Sequence, residues 1–210
     1  MRKIWLIWAV FFMALGPLAG LPSPALSEEP PPAVGDQDRV LGKSDAPITI
    51  IEYGSLTCPH CAEFERSTLP DVRKNWIETG KARLVFRVFP LNDLDLKAAK
   101  LVQCVPPDRY YAFIDTLYQD QAGWMRASAP EQALAKIARL AGVSEDKVKS
   151  CLADKSIEDG VLASAMAAQK SGVNSTPTFF INGVKPPEDK NGAQPYEVFN
   201  QLLTAASPKG

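Results

Sequence analysis

The sequence predicts an α/β protein in which a βαβ unit and a terminal hairpin with its helix are separated by an inserted helical domain. Three observations predict it. A β-branched run at residues 48–53 leads into helical periodicity and then a second apolar run at residues 83–89. Strand, helix and strand in about 40 residues is the pattern of a parallel pair joined by a crossover. Residues 93–171 read as helix after helix, and two short apolar runs then flank Asn182-Gly183, a strong hairpin signal.

The first 27 residues read as a leader rather than as part of the fold. Arg2 and Lys3 make a positive start, residues 4–18 are almost continuously apolar, and Pro22-Ser23-Pro24 breaks any helix. Ala25-Leu26-Ser27 offers the small residues a signal peptidase reads, so cleavage is expected after Ser27. The alternative is an uncleaved membrane anchor, because residues 4–21 just reach the ~20 apolar residues that span a bilayer. Either way the remainder is expected to be exported. Residues 28–38, with Pro30-Pro31-Pro32, read as an exposed tether.

Removing the leader leaves 183 residues, enough for one domain with a real core. The full chain has a net charge of −1. Its leader carries two basic and no acidic side chains, so the remainder stands at −3. A mildly acidic, evenly mixed chain gives no electrostatic basis for binding nucleic acid or an anionic membrane.

The first part of the main fold is assigned to residues 39–92. The strand at 48–53 ends at Gly54-Ser55, Thr57 can cap the helix that opens at the cysteines, and Pro59 falls in a first helical turn, where its missing N–H loses nothing. Helical patterning continues through Phe64, Leu69, Val72 and Trp76, with a bend expected at Pro70. The second strand is stopped by Pro90.

The insertion is assigned to residues 93–172, with helices at 95–105, 108–119, 130–141, a short one capped by Ser144, and 156–171. Tyr110, Tyr111, Phe113 and Tyr118 read as core. The second part, 173–206, holds the hairpin and a final helix at Tyr196–Ala206. The order is that of a thioredoxin fold with a helical domain inserted in its middle.

Four cysteines in an exported chain are expected to pair. Cys58 and Cys61 form a C-P-H-C segment opening a helix, whereas Cys104 and Cys151 stand apart in the insertion. A thiol at a helix N-terminus faces unpaired N–H groups and the positive end of the macrodipole, which favour thiolate and lower its pKa from about 8.5. His60, the one histidine of the chain, lies between the two cysteines and adds positive charge when protonated. A c-type haem needs His directly after the second Cys, where Ala62 stands. Zinc lacks two further ligands at suitable spacing, and a two-residue loop makes a poor structural disulfide. The redox reading therefore leads, with no metal and no cofactor expected. Cys104 and Cys151 are expected to form a structural disulfide, the alternative being two buried free thiols.

A second signal comes from Ser175-Thr176-Pro177-Thr178-Phe179-Phe180, where a proline heads a strand. It is either an ordinary strand-initiating proline or a cis Thr176–Pro177 bond beside the cysteines, exposing backbone groups of Thr176 to an extended substrate.

Glu52-Tyr53-Gly54-Ser55-Leu56-Thr57-Cys58-Pro59-His60-Cys61, the insertion, and residues 175–183 resemble the DsbA family of bacterial periplasmic thiol:disulfide interchange proteins. The likeness covers roughly residues 39–206. It implies a periplasmic oxidase in which Cys58 is the substrate-bonding cysteine, Cys61 its partner, His60 and Pro59 its tuning dipeptide, and Pro177 the cis-proline beside Thr176. It also implies that Glu52 is the buried acidic residue before the motif, for which Arg87 on the next strand is a candidate counter-charge. The implied partners are unfolded exported proteins with reduced cysteines and a DsbB-like, quinone-linked membrane reoxidant.

Thr176 departs from the pattern, being more typical of isomerases and of a subset of DsbA-like oxidases. A disulfide isomerase or reductase of the same superfamily is therefore an alternative, as is a non-catalytic metal-binding or chaperone module. Isomerases usually dimerise through an added N-terminal domain, and the short stretch before Arg39 favours a monomer. Apolar surface near the site, with Leu56 a candidate, is expected to meet unfolded chains.

Overall fold

In the computed structural model, which describes residues 29–208, four strands form one sheet: β1 (Val40–Leu41), β2 (Ile48–Gly54), β3 (Ala82–Val88) and β4 (Thr178–Ile181). Their order is β1-β3-β2-β4, with β2 and β3 parallel and the two edge strands antiparallel to their neighbours. The leader and its cleavage point lie outside the described residues. No helix among the described residues is long and apolar enough to cross a membrane.

The two-residue period of β2 divides the core. Ile48 and Ile50 face a layer made by α1 (Pro59–Ser67), α2 (Leu69–Val72) and α9 (Tyr196–Ala206). Phe64, Phe179 and Phe199 meet there with ring centroids 4.7–4.9 Å apart. Ile51 and Tyr53 face the other way, onto Val85, Phe180, Val173 and Ala168 of α8 (Lys155–Lys170).

The insertion runs through α3 (Asp93–Cys104), α4 (Tyr110–Gln119), α5 (Gln121–Met125), α6 (Pro130–Leu140) and α7 (Glu145–Ala153) to α8. Its core of Leu101, Val102, Phe113, Ile114, Leu117 and Trp124 is continuous with Leu56, Cys61 and Phe86. The four tyrosine and phenylalanine positions read as core are buried, except the half-buried Tyr111.

Several local expectations are corrected. The helix after the cysteines breaks before Pro70. α1 ends at Ser67, Thr68 widens to φ −111° while staying in the right-handed helical region and gives its hydroxyl to the Gln194 carbonyl (2.8 Å), and residues 73–77 continue as a π-turn. Asn182 (φ 50°) and Gly183 (φ 79°) make the expected left-handed turn, but its second arm is only an Ile181–Val184 bridge, because Pro186 and Pro187 carry no N–H to extend a ladder. β1 and α5 were not anticipated. Two residues and five residues are too short to show a period.

The proline-rich stretch is docked rather than a free tether. Glu29 N–H donates to the Lys170 carbonyl (3.1 Å) and the Ser171 hydroxyl to the Pro30 carbonyl (3.2 Å), while Pro31 is buried. Arg87 is the anchor. Its guanidinium donates to the carbonyls of Pro32 (2.8 Å) and Ala33 (3.0 Å), to both carboxylate oxygens of Asp38 (2.9 and 2.8 Å) and to Tyr53 Oη (2.8 Å).

The same contacts overturn the Glu52–Arg87 pair. Arg87 is in register with Tyr53, and Glu52 with Phe86, so Arg87 emerges on the face opposite Glu52.

Cys104 and Cys151 are joined by a disulfide between α3 and α7, with Cα atoms 6.4 Å apart and a sequence separation of 47. A loop of that length is worth about 4 kcal/mol in the chain-entropy estimate. The double substitution Cys104→Ala/Cys151→Ala is expected to lower unfolding stability by roughly 2–4 kcal/mol, measured by urea denaturation, with the Cys58 titration unchanged.

Candidate active site

The turn of residues 54–57 carries the chain from the end of β2 to Cys58, which is the N-cap of α1 (φ −81°, ψ 122°), with Pro59 at the first helical position. Cys58 N–H donates to the Ser55 carbonyl (3.1 Å), and the Cys58 carbonyl accepts the first helical bond from Ala62 (3.2 Å). Cys58 keeps 7% exposure, whereas Cys61 has none; both are free thiols.

The sulfur of Cys58 sits 3.3 Å from the Thr176 carbonyl, and the Thr176–Pro177 bond is cis. The Cys61 S–H, working against burial, holds the Cys58 thiol down at about 5. The Thr176 side chain and the N–H groups of Cys61 and His60 act in the same direction. Among the described residues the buried Thr176 hydroxyl has no hydrogen-bond partner, so its proton is available to the sulfur.

Cys61 is displaced the opposite way. Burial pushes its thiol far up, Cys58 and Glu52 add to this, and the N–H of Ser55, 3.4 Å from Cys61 Sγ, works against it. The two sulfurs are thus strongly unlike: one at the edge of the surface and readily anionic, one without exposure and resistant to ionisation. Pro59 and His60 are exposed. The His60 imidazole turns outward, with Nδ1 3.5 Å from the Glu63 carboxylate. What His60 places on Cys58 is therefore its backbone N–H.

Two carboxyls are buried near the cysteines, Glu52 on β2 and Glu65 on α1 itself. Glu52 is fully buried with neither oxygen hydrogen-bonded among the described residues, and its pKa is raised well above the usual range by burial, then by Glu65, with Arg73 opposing. Gly54 leaves it room: a Cβ there would come within 2.5 Å of Phe86 Cε2 and 3.1 Å of Glu52 Oε1.

Glu65 is pushed up to about 8 by burial and then by the charge of Asp115. Arg73 is 4.0 Å from Glu65 but makes its bidentate bonds to Asp115 (2.9 and 2.7 Å), so its charge is largely spent there.

For Glu65 the folded pKa lies above the unfolded value of 4.5. Folding therefore favours the protonated form, and stability is lost as pH rises through that interval. Glu65→Gln mimics the protonated acid. It is expected to match the native chain near pH 4 and exceed its stability at pH 8 by on the order of 4 kcal/mol. Urea titrations at the two pH values check this.

Sequence reasoning missed three side chains that build the site. Asp95 on α3 accepts from the Ser55 hydroxyl (2.5 Å) and the N–H groups of Leu56 and Leu91 (2.9 Å each). Gln121 donates its amide to the carbonyls of Leu56 (2.9 Å) and Cys58 (3.0 Å), and Tyr118 Oη donates to the Ser55 carbonyl (3.1 Å). The available signal was Asn92, three residues before Asp95, an N-cap pattern placing Asp95 in a first turn. Nothing in that pattern says the carboxylate reaches another element. Leu56, a candidate for apolar surface, is fully buried: its N–H and carbonyl are held by Asp95 and Gln121, and its side chain joins the core of the insertion.

A family model described as Thioredoxin matches residues 35–204. A Rickettsia bellii relative, named as a protein-disulfide oxidoreductase, is 32% identical over 154 residues, covering 72% of this chain and 60% of its own length. The chain spans 55–60% of the length of the first three Rickettsia relatives it matches. Among solved structures, alpha-DsbA1 of Wolbachia pipientis is 32% identical with a TM-score of 0.74, over 82% of this chain and 92% of that one. BdbD of Bacillus subtilis, 21% identical, shares the fold with a TM-score of 0.70 over 81% and 92% of the two chains.

Proposed function

The chain belongs to the thioredoxin family, in its DsbA-like branch of protein-disulfide oxidoreductases, and from this premise we propose that it introduces disulfides into exported proteins through Cys58 and Cys61. The observation that carries the reading is the asymmetry of the pair: a Cys58 thiol held down at about 5 beside a fully buried Cys61 pushed up.

In the cycle a substrate thiolate attacks Cys58 Sγ of the Cys58–Cys61 disulfide. The bond between the two sulfurs breaks, Cys61 leaves with the electron pair, and a substrate–Cys58 mixed disulfide forms. A second substrate thiolate then attacks the substrate sulfur, releasing oxidised substrate and the Cys58 thiolate. A good leaving thiolate favours the reduced protein and makes the oxidised form a strong oxidant.

Burial disfavours charge on Cys61, so a proton must reach it. We assign that role to Glu52, whose carboxyl burial pushes well above its usual range and whose charge acts on Cys61. His60 supplies its N–H to the Cys58 thiolate and, when protonated, positive charge in the same turn. The Thr176 backbone, whose carbonyl lies 3.3 Å from Cys58 Sγ, aligns an extended substrate beside the cysteines. The protein works in the periplasm as a monomer, on unfolded chains with reduced cysteines, and is reoxidised by a DsbB-like membrane protein.

The test is refolding of a reduced, unfolded disulfide protein with the oxidised chain, with and without glutathione. Stoichiometric oxidation without glutathione supports an oxidase. Recovery only from scrambled substrate with a reduced buffer identifies an isomerase instead.

A further inference from the structure

Ser55 is held on every side. Its hydroxyl donates to Asp95, its carbonyl accepts from Tyr118 Oη and from Cys58 N–H, and Thr57 is tied to it and to Asn92 (3.0 Å). The one backbone group left over, its N–H, points at Cys61 Sγ at 3.4 Å. Asp95 is the centre of this arrangement. It is fully buried, comes from the inserted domain, and binds Ser55 and Leu56 through different carboxylate oxygens.

Resting on the disulfide-exchange reading above, we propose that Asp95 is a positioning residue for the leaving sulfur: it fixes Ser55 so that the Ser55 N–H stabilises the Cys61 thiolate as it forms. When a thiolate attacks Cys58 Sγ, the Cys58–Cys61 bond breaks and both its electrons go to Cys61. Negative charge then appears on a sulfur with no exposure to water. A preorganised N–H is what such a site can offer before a proton arrives. The helical insertion thereby takes part in the chemistry and does not merely cover it.

The test uses the full chain with its Cys58–Cys61 disulfide formed and measures its reduction by glutathione, with acid quenching and thiol alkylation. Glutathione thiolate forms the mixed disulfide with Cys58, and Cys61 departs. Deleting a preorganised donor slows comparable steps by 10²–10³; a donor merely loosened is expected to cost about tenfold. Ser55→Ala removes the link to Asp95 without altering any charge. It is expected to slow the attack about tenfold while leaving the thiolate titration of Cys58 in the reduced protein in place, a split that general loosening of the fold does not produce.

Asp95→Asn is expected to be slowed at least as much; if it does not fold, Ser55→Ala decides alone. Native rates in Ser55→Ala, or a rate loss matched by an equal upward move of the Cys58 midpoint, overturn the proposal. A wild-type protein that fails to oxidise a reduced substrate sinks the function instead and leaves this rate comparison standing. Equal glutathione rates beside an active wild type remove only the role of Asp95.

Discussion

Cys58→Ser is expected to abolish disulfide transfer, lowering the rate of substrate oxidation by a thousandfold or more in order of magnitude, because a hydroxyl is neither an anion near neutrality nor able to hold a disulfide. Cys61→Ser is expected to fail differently. It retains the reactive Cys58 but cannot store the oxidising equivalent, and without Cys61 the exchange halts at the mixed disulfide. Mixing Cys61→Ser with an oxidised substrate should therefore accumulate a covalent complex that survives a non-reducing gel and dissolves on adding dithiothreitol. Cys58→Ser should form none. The contrast arises from burial: Cys61 has no exposed surface, so only Cys58 can meet a substrate.

The second large effect is a dependence of stability on oxidation state that grows with pH. In the reduced protein the folded pKa of Cys58 is about 5 against an unfolded value of 9.0. A depressed pKa contributes stability that is complete above the unfolded value and lost as pH falls through the folded one. At pH 7 the contribution is roughly 2–3 kcal/mol, and by pH 4 it is gone. Cys61 adds nothing in this window, since its folded pKa is raised and its unfolded thiol ionises only in the alkaline range. The stability of the reduced form relative to the oxidised form is therefore expected to rise between pH 5 and pH 9. Paired urea denaturations of the two forms measure it, and a difference flat in pH would refute the shifted thiol.

The parts legible in the sequence were those written in local pattern. The β-branched run of β2, Pro59 at a helix start, Ser144 as a cap (its hydroxyl accepts the Lys147 N–H at 3.3 Å) and Asn182-Gly183 as a turn each carry their own signal. The C-P-H-C spacing brought Cys58 and Cys61 to one helix end for the same reason. What could not be read depends on which face a residue takes once strands pair. Arg87 looked like a partner for Glu52 because both lie on neighbouring strands, yet the register puts it with Tyr53 and Asp38 on the opposite side. The proline-rich stretch looked unstructured because its prolines lack donors. Their carbonyls are acceptors, and a buried guanidinium found them. Asp95 looked like an ordinary acid of a helix's first turn, and only tertiary contact turns it toward Ser55.

The most direct measurement is the ultraviolet thiolate absorbance of the reduced protein as a function of pH, with Cys58→Ala as the blank. The expected result is a single titration centred near 5 that vanishes in Cys58→Ala. A midpoint at the ordinary thiol value of about 8.5, or one that persists without Cys58, contradicts the charge asymmetry on which the proposed chemistry rests.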